Sequence, residues 1–241
     1  MSVTYNSSIV KDGLVLCLDA GNTKSYPGTG TTWFDLSGMG YNMTVVAAAY
    51  NSSGPKYMDF NGSYGCAKAA SGVDIPILNG AVTACVWTIP LNSTGNWRTL
   101  FRGLSTGGDH QVIIQSAGWD IGMYDNTNGT GYNGTGFSQQ SLPGYPTQWN
   151  MMTWRWRSGT PSYTLTYNDS PDTIRGSIAS GNAAFKSGIC SIGAHNNVNQ
   201  TDPNTCSQFW GSISYIFMYN RCLSDAEVRQ NFYATKARFG M

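Results

Sequence analysis

Charged residues are scarce in this sequence. Only 11% of the 241 residues are charged, the net charge is +1, and thirteen acidic residues include a single glutamate. No stripe of lysine or arginine occurs, although a nucleic-acid-binding protein needs such a stripe for its phosphate contacts. The sequence therefore predicts that nucleic acid is not a partner.

Long apolar runs are also missing. No stretch of about 20 apolar residues occurs, so no transmembrane helix and no membrane partner are expected. The opening residues, MSVTYNSSIVKDG, lack a basic segment that leads into an apolar stretch of signal-peptide length. We therefore expect synthesis in a cytoplasm without a signal peptide, after which the chain either stays there or is carried out inside something larger.

Residue types that catalyse reactions are few. Glycosidases normally need two carboxylates beside the scissile bond, but Glu227 is the only glutamate and fits a helix cap. No two aspartates form an alternating pair on a predicted inner strand; Asp120 and Asp125 come nearest to one, and they fit a strand end and a turn. His110 and His195 occur without a G-x-S-x-G nucleophile elbow. We predict no catalytic residue and no enzymatic activity.

The cysteines show no zinc-site spacing. No pair follows the C-x-x-C pattern, and a reducing compartment favours free thiols. Cys17 and Cys85 fall within apolar runs, as small core residues do. Cys190, Cys206 and Cys222 cluster toward the C-terminus, so a disulfide between two of them remains an open alternative.

Glycine and aromatic residues are abundant, with 29 Gly, 14 Tyr and 8 Trp. These types suit pleated strands and tight turns, and no repeat of 20–50 residues is visible. Short runs between turn clusters predict an all-β, antiparallel sandwich or barrel in a single domain over 1–241. Ten strands are predicted, at 14–19, 57–60, 81–89, 98–102, 111–115, 119–124, 149–157, 163–168, 189–193 and 211–219.

The hydrophobic period changes after the last strand. Ser224 and Glu227 form an S-x-x-E capping box, and acidic residues near the start and basic residues near the end suit a helix dipole. This predicts a cap helix over 224–237. Residues 1–12 form an N-terminal extension, and Asp125–Gln148 is predicted to be a long loop that is too rich in glycine for a core element.

Four segments together carry a family resemblance. They are DGLVLCLDAGNTKSYPGTGTTWFDLSG, MDFNGSYGCAKA, VTACVWTIP and FWGSISYIFMYNRCLSDAEVRQNFYATKARFG. In this order they resemble the entry strand and loop, the F-x-G turn, the tryptophan-bearing strand and the closing strand with cap helix of laminin-G-like domains. These belong to the concanavalin A-like lectin/glucanase superfamily and occur in phage virion proteins. The resemblance implies a two-sheet antiparallel jelly-roll sandwich with a short C-terminal α-helix.

The same fold hosts hydrolases, lectins, adhesion modules and virion proteins, so the fold alone does not determine the function. The resemblance, with low charge and polar loops, favours a non-enzymatic phage virion structural protein, either a capsid decoration protein or a tail or fibre protein. Its partner would be the major capsid protein or another virion protein, at the virion surface. The alternative is a lectin-like adhesion module that recognises a cell-surface glycan. The oligomeric state stays open, a homo-oligomer included.

Four aromatic residues in or beside loops are candidate contacts to carbohydrate or to a partner, because lectins stack sugars on such rings. They are Trp97, Trp119, Tyr132 and Tyr145. Packing of these rings at the sandwich ends or at a subunit interface is the open alternative.

Some relatives bind calcium through loop oxygens, and the segment GAHNNVNQTDPN offers Asn196, Asn197 and Asp202. Because such residues are also ordinary turn material, no metal site or cofactor is predicted, with Ca²⁺ left open. In the first loop, Asp19 and Asp35 are expected to accept backbone N–H bonds, and Trp33 is expected to pack back on the sandwich.

Overall fold

Two antiparallel sheets of eight strands each are stacked face to face. The computed structural model describes residues 8–60, 65–69, 81–90, 98–103, 110–114, 119–125, 131–157, 162–170, 174–177, 189–193 and 209–241. The back sheet contains β1 (Leu14–Asp19), β4 (Ala49–Asn51), β5 (Tyr57–Asp59), β7 (Ala81–Pro90), β12 (Asn150–Arg157), β13 (Ser162–Tyr167), β14 (Ile174–Ser177) and β16 (Gly211–Tyr219). The front sheet contains β2 (Thr32–Trp33), β3 (Met43–Val46), β6 (Cys66–Lys68), β8 (Arg98–Gly103), β9 (His110–Ile114), β10 (Asp120–Asp125), β11 (Gly131–Ser138) and β15 (Ile189–Ile192).

The strand order brings distant segments together. The back sheet runs β14-β13-β12-β7-β16-β5-β4, with β1 also paired to β16, and the front sheet runs β11-β10-β9-β8-β15-β6-β3-β2. The main core lies between the sheets and includes Trp33, Phe101 and Trp154. The predicted antiparallel sandwich is confirmed, and each of the ten predicted strands is found within one residue at each end.

The central strands of the back sheet are buried on both faces. Eight of the ten residues of β7 and eight of the nine of β16 are buried. One face of each strand meets the inter-sheet core, and the other meets a second apolar cluster under the C-terminal helix. This double burial explains why both segments read as nearly continuous apolar runs.

The helix α1 (Asp225–Thr235) begins where the sequence predicts it. The Ser224 Oγ accepts a hydrogen bond from the Glu227 N–H at 3.3 Å, and the Ser224 N–H donates to Glu227 Oε2 at 2.8 Å. These two bonds form the predicted capping box. A 3₁₀ turn, Lys236–Phe239, follows and ends at Gly240, whose φ of +76° is left-handed.

The helix docks on the outer face of the back sheet through aromatic stacking. The Trp87 ring lies 5.7 Å from that of Phe232 and 4.0 Å from that of Phe239, between ring centroids. The Trp87 indole N–H also donates to Thr235 Oγ1 at 2.8 Å. Val10 of the N-terminal segment joins the same cluster, and its N–H donates to the buried Asn231 side chain. The helix and this segment therefore cover the back sheet.

Six strands were not predicted, and one of them corrects the prediction of a long loop at Asp125–Gln148. The Gly131–Ser138 part of that segment is the edge strand β11. Its pairing with β10 depends on close approach at glycine: an added Cβ at Gly122 would collide with the Asn133 carbonyl oxygen of β11. Hydrophobic alternation gives no sign of such a strand, because backbone contact rather than apolar side chains holds it.

The described cysteines agree with the prediction of unlinked thiols. Cys17, Cys66, Cys85 and Cys222 form no disulfide. Burial raises the pKa of the Cys17 thiol to about 11 and that of Cys85 to about 12, so both stay protonated and unreactive. The disulfide left open for Cys190 and Cys206 falls outside the described side chains. Within the described ranges, no helix is long and apolar enough to cross a bilayer.

Replacing Ser224 by alanine should lower the free energy of unfolding by about 1 kcal/mol, because the variant leaves the Glu227 N–H without its side-chain acceptor. Chemical denaturation of both proteins measures the difference. Equal stability within error would show that the cap contributes nothing.

The capping glutamate should make stability depend on acid pH. Hydrogen bonds from Arg221, at 2.6 and 3.0 Å, lower the pKa of Glu227 to about 2 from its ordinary 4.5. Because the folded pKa is the lower one, this contribution is complete above pH 4.5 and is lost as the pH falls through about 2. Unfolding free energy measured from pH 5 to 2 should fall more steeply for the wild type than for Glu227→Gln. Parallel curves would contradict the assignment.

Candidate functional site: the outer face of the front sheet

The two outer faces of the sandwich differ in what covers them. The helix α1 and residues 9–10 lie on the back sheet. On the front sheet, the described part of the chain places no helix. Among the described residues, the outward side chains of the front sheet therefore form the polar sheet surface that no helix covers.

One register row crosses all eight strands of the front sheet. Inward-facing Val45, Ala67 and Ile192 belong to the core, so their strand neighbours face outward. Successive strands lie about 4.8 Å apart, which makes the row roughly 34 Å long. The directly paired positions, in order from β2 to β11, are Thr32, Thr44, Lys68, Ser191, Arg102, position 110, Tyr124 and Tyr132.

Burial along this row is deepest in the middle. Thr44 is exposed and Lys68 is half-buried, whereas Ser191 is 0% and Arg102 is 6% exposed. Pairing irregularities in β8, β10 and β15 adjoin the row, and such bulges bend a strand. The middle of the row is thus enclosed, and its more accessible polar groups lie toward the two ends, at Thr44 and Lys68 and at Tyr124 and Tyr132.

Tyr132 forms a flat aromatic platform at one end of the row. Its ring edges approach Gly122 and Gly134 so closely that a Cβ there would lie 2.8 and 3.0 Å from ring carbons. The Tyr132 hydroxyl donates to the Asp120 carbonyl oxygen at 2.7 Å. Burial, with the Asp120 charge nearby, raises the pKa of the Tyr132 phenol, so it stays a neutral donor. The ring is therefore fixed across two adjacent strands.

The Asp120 carboxylate lies beside this platform. Its Oδ1 accepts a hydrogen bond from Thr135 Oγ1 at 3.1 Å, and Thr135 also donates to the Ile121 carbonyl at 2.6 Å. Its Oδ2 lies where a side chain at Gly134 would be. A held carboxylate next to an aromatic ring can accept hydrogen bonds from ligand hydroxyls.

The structure brings two of the four predicted contact residues to this place. Trp119 directly precedes Asp120, is half-buried with a φ of +59°, and its carbonyl accepts from the Gln139 N–H at 2.9 Å. Tyr132 lies on the other side of Asp120. The contact role of both stays a prediction.

The other two predicted contacts lie elsewhere. Tyr145 is half-buried against the inter-sheet core, with its hydroxyl oxygen enclosed. This position agrees with the alternative that the Tyr145 ring packs on the sandwich. No observation tests whether Tyr145 contacts a ligand or a partner. Trp97, and the loop residues considered for calcium at 196, 197 and 202, lie outside the described residues.

Sequence reasoning did not find Lys68, Arg102 or Tyr124 as residues of this face. Their separation along the chain gives no signal, because only the strand order β10-β9-β8-β15-β6 sets them in one row. The sequence indicated only that each of these three residues lies in or beside a short strand.

The first loop is structural, as predicted. The Asp35 carboxylate accepts hydrogen bonds from the N–H groups of Cys17, Ser37 and Tyr41, and Asp19 Oδ1 accepts from the Gly21 N–H at 2.8 Å. The predicted backbone bonds of both aspartates and the inward packing of Trp33, which is 0% exposed, are confirmed. Among the described residues, no three His, Cys, Asp or Glu side chains come together as metal ligands would.

Two depressions beside the helix are less suited to a ligand. One, of about 30 Å³, lies between β13 and α1, and there Arg155 pairs with Asp225 at 2.6 Å. The other, of about 350 Å³, is lined by Thr235 and Arg238. Thr235 holds the Trp87 indole, and Arg238 pairs with Asp19 at 2.6 Å. These polar groups already hold the fold together.

Comparison with known proteins gives structural likeness only. No protein-family model matches the sequence, and a search of the curated proteins finds no match. A Trypanosoma rangeli sialidase in complex with sialic acid is similar with a TM-score of 0.64 at 14% identity, over 94% of this chain and 33% of the sialidase chain. The chain thus spans about a third of the length of that enzyme.

Two further solved structures are similar over most of this chain. The binding domain of botulinum neurotoxin serotype D/C has a TM-score of 0.60 at 13% identity, over 92% of this chain and 52% of that one. Domain 4 of a GH43 extracellular arabinanase from Geobacillus stearothermophilus, in complex with arabinotriose, has a TM-score of 0.61 at 15% identity. It is matched over 92% of this chain and 98% of its own length. At these identities the comparisons show a shared β-sandwich fold.

Replacing Gly122 by alanine should lower the free energy of unfolding by about 1–3 kcal/mol, as overpacking does. The new Cβ would collide with the Asn133 carbonyl oxygen of β11 and press on the Tyr132 ring, so the two strands must separate. Thermal or chemical unfolding measures the loss. A variant as stable as the wild type would show that the platform is not closely packed on this glycine.

Proposed function

We propose that this chain is a carbohydrate-binding module that holds a glycan on the outer face of the front sheet without cleaving it. The observation that carries the proposal is the Tyr132 ring fixed across Gly122 and Gly134, with the Asp120 carboxylate beside it. We therefore prefer the glycan-binding module, which the sequence left open as the alternative, over a virion structural protein.

The chemistry of this place suits a sugar. The face of an aromatic ring is apolar surface that can cover the C–H groups of a sugar ring. A carboxylate accepts hydrogen bonds from hydroxyl groups, and a charged acceptor makes these bonds stronger than neutral ones. Because Tyr132 is held on both sides, little conformational entropy is lost when a ligand binds.

The arrangement of carboxylates supports binding without hydrolysis. Asp120 and Asp125 are the first and last residues of β10, so five steps of about 3.3 Å set them roughly 17 Å apart. Glycosidase carboxyl pairs lie about 5–10 Å apart. Glu227 is held in the helix cap by Arg221 and Ser224, on the other side of the sandwich.

The comparisons support the same class of function. The similar arabinanase domain was solved with arabinotriose, and the similar neurotoxin segment is called a binding domain. The interpretation as a capsid decoration protein stays a prediction, as do its virion partners and its localisation, since no feature of the described residues favours it over glycan binding.

A glycan array followed by calorimetry tests the proposal. We expect the wild type to bind at least one oligosaccharide class, and Tyr132→Ala to lose about 2 kcal/mol of binding free energy, as the truncation of an aromatic anchor typically costs. Tyr132→Phe keeps the ring and should keep most of the affinity. Chromatography of the bound oligosaccharide should recover it uncut.

Tyr233→Ala is the matched control, because Tyr233 is also half-buried but lies on helix α1. It should bind like the wild type once thermal unfolding shows that both variants are folded. Absence of binding across the array, or equal binding by Tyr132→Ala, would refute the proposed function. Cleavage of a bound oligosaccharide would refute its non-catalytic part.

A further inference from the structure

Charge is distributed unequally between the two sides of the sandwich. The described ion pairs join Arg155 to Asp225, Arg221 to Asp12 and Glu227, and Arg238 to Asp19. These residues belong to the back sheet, to its helix or to the segments next to them. On the outward row of the front sheet, the described side chains include two cations and no acid. Among the described side chains, the acid of that face is Asp120 in β10, four strands away from Lys68 in β6.

Of the two cations on the outward row of the front sheet, Lys68 is the one that a ligand can reach. It is half-buried in β6, between the exposed Thr44 of β3 and the buried Ser191 of β15. The three arginines of the described ion pairs have acidic partners at 2.6–2.9 Å, whereas the described acids form no ion pair with Lys68. A half-buried ammonium interacts more strongly with an anion than a fully solvated one does, because less water screens it.

Arg102 adds a second positive charge to the same row. It lies two strands from Lys68, roughly 10 Å away, and is only 6% exposed. Arg102 has contacts of its own, so we assign the direct contact with a ligand to Lys68.

We propose that the front face selects an acidic glycan, with Lys68 and the Thr44 hydroxyl binding the anionic group of one sugar while Tyr132 covers another. This deepens the proposed function and rests on it. Lysine is a point charge rather than a bidentate fork, so the shared chemistry is an anionic substituent, either a carboxylate or a sulfate.

The spacing of the two subsites sets a length requirement. Tyr132 in β11 and Lys68 in β6 are five strands apart, which is roughly 24 Å. One sugar cannot touch both places. An oligosaccharide of several units that lies across the strands can, so affinity should rise with chain length until both subsites are filled.

Calorimetry with paired ligands tests the proposal. One pair is oligogalacturonate and its fully methyl-esterified form, and the other is dextran sulfate and dextran. Acidic and neutral oligosaccharides that bind on the glycan array are measured in the same way. We expect the acidic ligand of each pair to bind at least about tenfold tighter than the neutral one, because one charge-assisted hydrogen bond typically contributes that much affinity. This preference should shrink with added salt, which screens the charges.

Lys68→Gln should abolish the preference for the acidic member and leave thermal stability unchanged. Lys24→Gln is the matched control, because it removes the same charge from an exposed residue of the first loop and should keep the preference. Binding of either acidic polymer through Lys68 supports the proposal, and the tighter of the two identifies the anionic group.

The failures of the two proposals are distinguishable. If neutral glycans bind as well as acidic ones and Tyr132→Ala still abolishes binding, the proposed function holds and the acidic preference is wrong. The same conclusion follows if Lys68→Gln keeps the full preference. If no glycan binds at all, the proposed function itself fails.

Discussion

The stacking of Trp87 between Phe232 and Phe239 is the contact on which the rest of this structure depends. It lies at the centre of the back sheet and joins β7 to the C-terminal helix and the turn that follows it. Aromatic pairs of this kind add to the free energy that area burial alone supplies. Because this contact commits the helix to the back sheet, the front sheet is left as the surface with polar side chains on its outward row.

A polar network secures the same docking. The Asn231 side chain, which is fully buried, accepts from the Val10 N–H and donates to the Tyr219 hydroxyl. Tyr219 in turn donates to the Val10 carbonyl at 3.1 Å. A buried amide is costly unless its hydrogen bonds are made. These bonds therefore define one position of the helix and the N-terminal segment relative to the sheet.

A different constraint holds the edge of the front sheet, namely the close approach of the backbones of β10 and β11. Glycine at 122 and 134 lets β10 and β11 come together beneath the Tyr132 ring, and the Tyr163 hydroxyl of the back sheet donates to the Asn133 carbonyl. An edge strand held in this way needs few apolar residues. The absence of side chains at two positions thus creates the flat surface on which an aromatic ring and a carboxylate meet.

The sequence by itself determined the sandwich class, ten of the sixteen described strands and the cap helix, because burial and capping leave periodic or local patterns. Ser224 and Glu227 lie three residues apart, and β16 is a nearly continuous apolar run, so neither needs knowledge of distant segments. Only the tertiary structure decided that Gly131–Ser138 pairs as a strand and that Thr44, Lys68 and Ser191 are neighbours. The pairing of β11 depends on backbone approach at glycine, which leaves no apolar period. The row depends on strand order and register, which join Lys68 to Ser191 across more than a hundred positions.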